Sequence, residues 1–209
     1  MERVNFYCSR SKDHPTDGGK YGLGDSIMHA FVCVSMSPVN YYINSPPNNT
    51  LKEVLSLFSD QADINIIVNN TISYPRYSPW DLFENKIIPH FTTNKFKLYK
   101  HSKRYITTQF ISKDPRRVIH NPEKLIEKHG EGYDVINLDN QKDMPIEELI
   151  GIIKGAEFHL GVNSGMPWAA AVAGKHTKML STAANPEKYW AFAMQNFATE
   201  VERNLPNIL

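Results

Sequence analysis

Short apolar runs alternate along this chain with stretches whose apolar residues recur at helical spacing, a pattern that predicts an α/β protein with mostly parallel sheets. Val4 to Cys8 reads as a buried strand, followed by a polar, glycine-rich loop from Ser9 to Gly24. Asp25 or Ser26 can then cap a helix whose residues Ile27, Ala30, Phe31 and Val34 share one apolar face. Val39 to Ile43 is a second strand, and Pro46, Pro47 and Asn48 break the chain after it. A helix capped by Asn49 or Thr50 runs to about Phe58, and Ile64 to Val68 makes a third strand. Residues 1–70 therefore read β-α-β-α-β.

Residues 71–100 are the least regular part, punctuated by Pro75, Pro79 and Pro89 and rich in aromatic side chains, with a short helix expected from Pro79 to Asn85. A second series follows. Strands are expected at Tyr105 to Ile111, Tyr133 to Leu138, Phe158 to Val162 and Lys178 to Leu180. Helices are expected at Pro122 to His129 (capped by Asn121, stopped by Gly130), Pro145 to Lys154 (stopped by Gly155) and Pro167 to Ala173. A closing helix from about Pro186 to Arg203, capped by Asn185, completes it. Two such units in tandem predict two small Rossmann-like domains, 1–100 and 101–209, with a cleft between them.

Composition narrows the function classes. The 209 residues are 41% apolar and 22% charged with a net charge of +1, which supplies no whole-molecule attraction to nucleic acid or anionic membranes. Only the basic stretch from Lys95 to Arg117, with Phe96, Tyr99 and His101 interleaved, keeps a local phosphate or nucleic-acid contact open. Two cysteines, Cys8 and Cys33, are too few to staple a secreted scaffold and sit in apolar runs, which fits buried thiols in a reducing, cytoplasmic setting. The first residues lack a charged-then-apolar leader pattern, and no run approaches the roughly 18 apolar residues of a membrane span. Eight histidines show no metal-ligand spacing, so no metal site is expected.

Three segments carry candidate chemistry. In Glu157 to Leu180, a strand ends at Val162, Asn163-Ser164-Gly165 turns the chain, and an alanine-rich helix begins at once. Backbone N–H groups at such a helix start are unpaired and attract an anion, Gly165 allows close approach, and Ser164 adds a hydroxyl. Strand-to-helix turns favour these residue types for purely structural reasons too. The second segment, Gly22-Leu23-Gly24-Asp25-Ser26, opens the first helix after too long a loop for a dinucleotide fingerprint. Asp25 is there either a helix cap or a carboxylate able to accept a hydroxyl proton. The third is the polar loop Ser112-Lys113-Asp114-Pro115-Arg116-Arg117, whose cations can neutralise a departing diphosphate or simply be solvated.

Residues 144–180 resemble the donor-binding segment of heptosyltransferase-like (glycosyltransferase family 9-like) enzymes, a family with the GT-B fold. In that family a helix and a strand lead to an acidic residue, Ser-Gly, two further residues, a His and an alanine-rich helix. The matching positions are Asn163, Ser164, Gly165 and Trp168, with Asn in place of the usual acid and Trp in place of the usual His. Gly22-x-Gly24-Asp25 is similar to the family's N-terminal Gly-x-Gly-Asp, whose Asp is the candidate base. The resemblance places a diphosphate clamp in the 109–117 loop, with Arg116 or Arg117 fitting best and Lys113 as an alternative.

What the resemblance implies is a compact, divergent, inverting and metal-independent transferase. It would take a nucleoside-diphosphate sugar as donor and a glycan, lipid-linked or other hydroxyl compound as acceptor, with no further cofactor. The rival readings are a nucleotide-sugar epimerase or hydrolase of the same fold, a non-catalytic nucleotide- or glycan-binding module, and a transferase acting on a modified DNA base.

Overall fold

The computed structural model describes residues 2–8, 22–43, 47–68, 96–139, 141, 143–182 and 193–205. The chain divides into two compact units, Met1–Thr92 and Thr93–Leu209. In the first, β1 (Val4–Cys8), α1 (Leu23–Ser35), β2 (Val39–Ile43), α2 (Asn49–Leu57) and β3 (Ile64–Val68) follow in the order the apolar pattern predicts. Its three strands are parallel, ordered β1-β2-β3. Val39, Tyr41 and Ile43 alternate along β2 and are fully buried, as are Phe31, Leu51, Val54 and Phe58 from the helical segments. Tyr41 stacks on Phe6 at 5.4 Å and its hydroxyl meets His29 Nδ1 at 2.6 Å, so the polar tip of a core aromatic has a partner. The opposite face carries a side-chain ladder in which Asn65 donates to Asn40 (3.1 Å) and Asn40 to Asn5 (3.0 Å).

The second unit runs β4 (Tyr105–Gln109), a 3-10 turn (Pro115–Arg117), α3 (Glu123–Gly130), β5 (Asp134–Asn137), α4 (Ile146–Gly155), β6 (His159–Val162), α5 (Gly165–Val172), β7 (Thr177–Thr182) and β8 (Ala198–Leu205). All five strands are parallel, in the order β5-β4-β6-β7-β8. Every residue of β4 and β6 is buried, the mark of central strands covered on both faces. One face packs as an apolar core of Ile106, Phe110, Ile119, Phe158, Leu160, Val162 and Leu180. Residues 96–100 attach to this unit, since Tyr99 N–H donates to Gly151 O at 3.3 Å and Lys154 Nζ to Phe96 O at 3.2 Å.

One element differs in kind from expectation. The sequence predicts a closing helix from about Pro186 to Arg203; its part up to residue 192 lies outside the described residues, and the rest makes a helical turn at 193–196 and then strand β8. Helix propensity is a weak prior, and pairing with β7 satisfies backbone groups that would otherwise form an open edge. Val201 and Leu205 of β8 also pack on the core, while Glu202 receives Lys128 and His129.

Smaller differences concern caps. Gly22 caps α1 rather than Asp25 or Ser26, and Asn48 caps α2 by accepting from Leu51 N–H at 2.9 Å. Gly130 is the last helical residue of α3 rather than a residue past its end: a Cβ there would meet Ile106 Cδ1 at 2.9 Å, and the left-handed φ of 82° falls at Gly132. The expected helix at Pro79 to Asn85 lies outside the described residues, as does the Cys8 side chain, whereas Cys33 is buried. Among the described residues no helix is long and apolar enough to cross a membrane.

Candidate functional site

The strand order of the second unit fixes where a ligand crevice can form. From β4 the chain crosses to β5 on one side, then returns past β4 to β6 on the other. The segments leaving the carboxyl ends of β4 and β6 therefore diverge in opposite directions and open a crevice between them, the topological switch point at which open parallel sheets bind ligands. The residues at that point are Gln109 and the 110–118 loop after β4, and Asn163-Ser164-Gly165 after β6.

Two contacts tie these loops together. Ser164 Oγ donates to Gln109 Oε1 at 2.6 Å, and Arg117 Nη1 donates to the Asn163 carbonyl oxygen at 3.0 Å. Ser164 is also the N-cap of α5, its Oγ accepting from Met166 N–H at 3.3 Å. Pro167 brings no N–H, so the first turn offers fewer free donors than a generic helix start, and Gly165 N–H is the foremost of them. The chain leaving β4 is pinned from β5: Asp139 Oδ1 accepts from both Phe110 N–H and Ile111 N–H at 2.8 Å.

The loop cations are not equivalent. Arg116 grips Asp114 with two parallel bonds (Nε to Oδ1 and Nη2 to Oδ2, each 2.9 Å), and its side chain is 71% exposed. Arg117 is 21% exposed, with Nε 3.3 Å from Asp114 Oδ2, an ion pair without hydrogen-bond alignment. The Arg116 hydrogen bond, helped by the Arg117 charge, holds the Asp114 carboxyl below its usual range. Ser112 Oγ accepts from Asp114 N–H at 3.2 Å, and Lys113 is exposed.

Of the residues singled out in sequence, the structure thus brings Ser112, Arg116, Arg117, Asn163, Ser164 and Gly165 to one end of one sheet. The Asn163 side chain is buried there, and its Nδ2 has no hydrogen-bond partner among the described residues. Trp168 is placed differently: it is buried on α5, edge-on to Phe197 at 5.3 Å, as a packing group. Gly22, Gly24 and Asp25 lie together in the first unit. Asp25 is exposed in the first turn of α1, where Oδ2 accepts from Gly22 N–H at 3.3 Å.

Gln109 and Asp114 lie in the segment singled out in sequence but were given no role there, and Asp139 was not singled out. A polar side chain at or just past the end of a strand was the available signal for Gln109 and Asp139. His159 is another buried polar group: its Nδ1 meets Thr107 Oγ1 at 3.1 Å, its Nε2 has no partner among the described residues, and burial pushes its pKa down to about 3. An open depression of about 730 Å³ in the first unit, lined by Ser37, Lys52 and Asp63 among others, includes Ile64 at the amino end of β3 and contains none of these groups.

No protein-family profile matches the sequence, and no curated protein matches it. Solved structures do. The dodecameric iron-containing heptosyltransferase TibC in complex with ADP-D-β-D-heptose matches with a TM-score of 0.55 and 11% identity over 89% of this chain and 60% of that one. The TibC glycosyltransferase from enterotoxigenic E. coli gives 0.59 and 12% over 96% and 62%. The fold is that of the GT-B heptosyltransferases. This chain spans about three fifths of the length of the TibC chains it matches, which gives 60% and 62%. Among its described residues no three His, Cys, Asp or Glu side chains converge as metal ligands would.

Proposed function

We propose that the protein is an inverting glycosyltransferase that moves a sugar from a nucleoside-diphosphate donor to a hydroxyl acceptor without a metal ion. The observation that carries this reading is the switch-point crevice of the second unit. There Arg117, the Gly165 N–H at the start of α5 and the Gln109–Ser164 pair stand together. The crevice belongs to a fold shared with a transferase bound to a nucleotide sugar. In this reading the diphosphate lies against Gly165 and the loop cations, with Arg116 or Arg117 as clamp and Lys113 and Ser112 beside them. Cationic neutralisation lets the diphosphate depart with the electron pair of the breaking anomeric bond.

Asp25 is the residue proposed to accept the acceptor's hydroxyl proton as that oxygen attacks the anomeric carbon. Its carboxylate is exposed, and among the described residues it accepts one hydrogen bond, from Gly22 N–H. The acceptor is a glycan, a lipid-linked compound or another hydroxyl.

The deciding measurement is a thermal-shift screen with ADP-, GDP-, UDP- and CMP-linked sugars, followed by transfer assays with Asp25→Ala. A true donor raises the melting temperature by mass action, and Asp25→Ala keeps that shift while losing transfer. Wild-type turnover in Asp25→Ala would remove Asp25 from the mechanism. A second reading, a binding module without turnover, is favoured by the burial of Trp168 and by Asn163 standing where the family has an acid. Donor binding with no transfer across a broad acceptor panel would select it.

A further inference from the structure

The 112–117 loop holds an anion of its own. We infer that Asp114 is a positioning residue that occupies the Arg116 guanidinium in advance and so sets the affinity of the crevice for a diphosphate; this rests on the proposal that a diphosphate binds there.

A carboxylate and a phosphate both match the planar fork of an arginine, and both take it through two parallel N–H···O bonds. Asp114 already holds the Arg116 fork in that way, at 2.9 Å for each bond. The carboxylate is fixed in the loop, since Oδ1 also accepts from Arg116 N–H at 3.1 Å and the Asp114 N–H is held by Ser112 Oγ. The guanidinium is the movable partner. Its side chain is 71% exposed, and an ion pair so open to water is weak enough to exchange.

Arg117 has the opposite character. Its Nη1 is committed to the Asn163 carbonyl and most of its side chain is buried, so it fixes the loop to the α5 start rather than swinging. The two adjacent arginines thus divide the work: Arg117 is the anchor, and Arg116 leaves Asp114 to meet the incoming diphosphate. Asp114 weakens binding by competing for that fork, and it releases Arg116 only to a ligand carrying enough charge to win.

The test is calorimetric titration of the full chain with inorganic pyrophosphate and with ADP, in wild type, Asp114→Asn, Arg116→Gln and the double variant. Asparagine keeps an oxygen that can cap the 3-10 turn, so the loop retains its shape while the competing charge is gone; the melting temperature checks this. The expected result is roughly three- to tenfold tighter binding of both probes to Asp114→Asn. That gain should be absent from the double variant, because it needs Arg116. A merely structural Asp114 would not show this dependence. If wild type binds ADP and Asp114→Asn binds it equally or more weakly at an unchanged melting temperature, the inference is overturned and the donor reading stands. If no variant binds either probe, both fall.

Discussion

Ser164 Oγ and Gln109 Oε1 stand 2.6 Å apart, and this contact joins the carboxyl ends of the two central strands where they diverge. The same hydroxyl caps α5 through Met166 N–H, so one side chain both starts the helix and locks the glutamine amide.

Ser164→Ala removes both roles. The lost cap costs about 1 kcal/mol, and the lost bond to a buried amide adds roughly another. Urea denaturation should show a drop of about 2 kcal/mol, with Gln109→Ala less costly in the Ser164→Ala background than in wild type. Additive losses in that double-mutant cycle would mean the contact does not couple the two strands.

Gly161 pairs with Gln109 across the sheet, and a Cβ there would lie 2.7 Å from His159 Nε2 and 2.8 Å from the Gln109 carbonyl oxygen. Neither neighbour can retreat easily, because one is backbone and the other a fully buried ring. Gly161→Ala should therefore cost about 1–3 kcal/mol and weaken donor binding along with stability, since Gln109 shifts. Unfolding and thermal-shift titrations on the one variant check both. A variant as stable as wild type would show that the strand pair has room the geometry does not reveal.

His159 links stability to pH. Burial lowers its folded-state pKa to about 3 from the ordinary 6.5, so below 6.5 the unfolded chain takes up a proton that the native one refuses. The stabilisation is complete above pH 6.5 and is lost as pH falls towards 3, at roughly 1 kcal/mol per pH unit. Between pH 6.5 and 4.5, above the range in which the lowered carboxyls of Asp114, Asp134, Glu157 and Glu202 join in, His159→Gln should flatten the stability curve whatever its effect at neutral pH. Equal slopes for variant and wild type over that window would refute the assignment.

Much of the fold was legible because apolar periodicity is local. Val4 to Cys8, Val39 to Ile43 and Ile64 to Val68 form strands over those same residues, and the helices of both units begin or end within a few residues of their capping signals. The closing segment misled because its alanines, glutamates and aromatics fit a helix equally well. Only the open side of β7, contributed by residues 177–182, made a strand the better solution. Such an edge exists only after four other strands have assembled.

The candidate site divides along the same line. The turn at Ser164 and Gly165 was readable because a helix start is a local event, set by the residues on the spot. Asp25 was readable as a carboxylate at a helix start, though not that Gly22 would take the cap and Asp25 the third helical position. Trp168 stands at its motif position in sequence, and only the packed structure shows it buried on α5 against Phe197. Local residue types were enough to place most strands and helix starts. Tertiary structure alone decided that β4 lies beside β6, that Gln109 therefore reaches Ser164, and that Arg117 rather than Arg116 holds Asn163. Those facts depend on strand order, which no local pattern encodes.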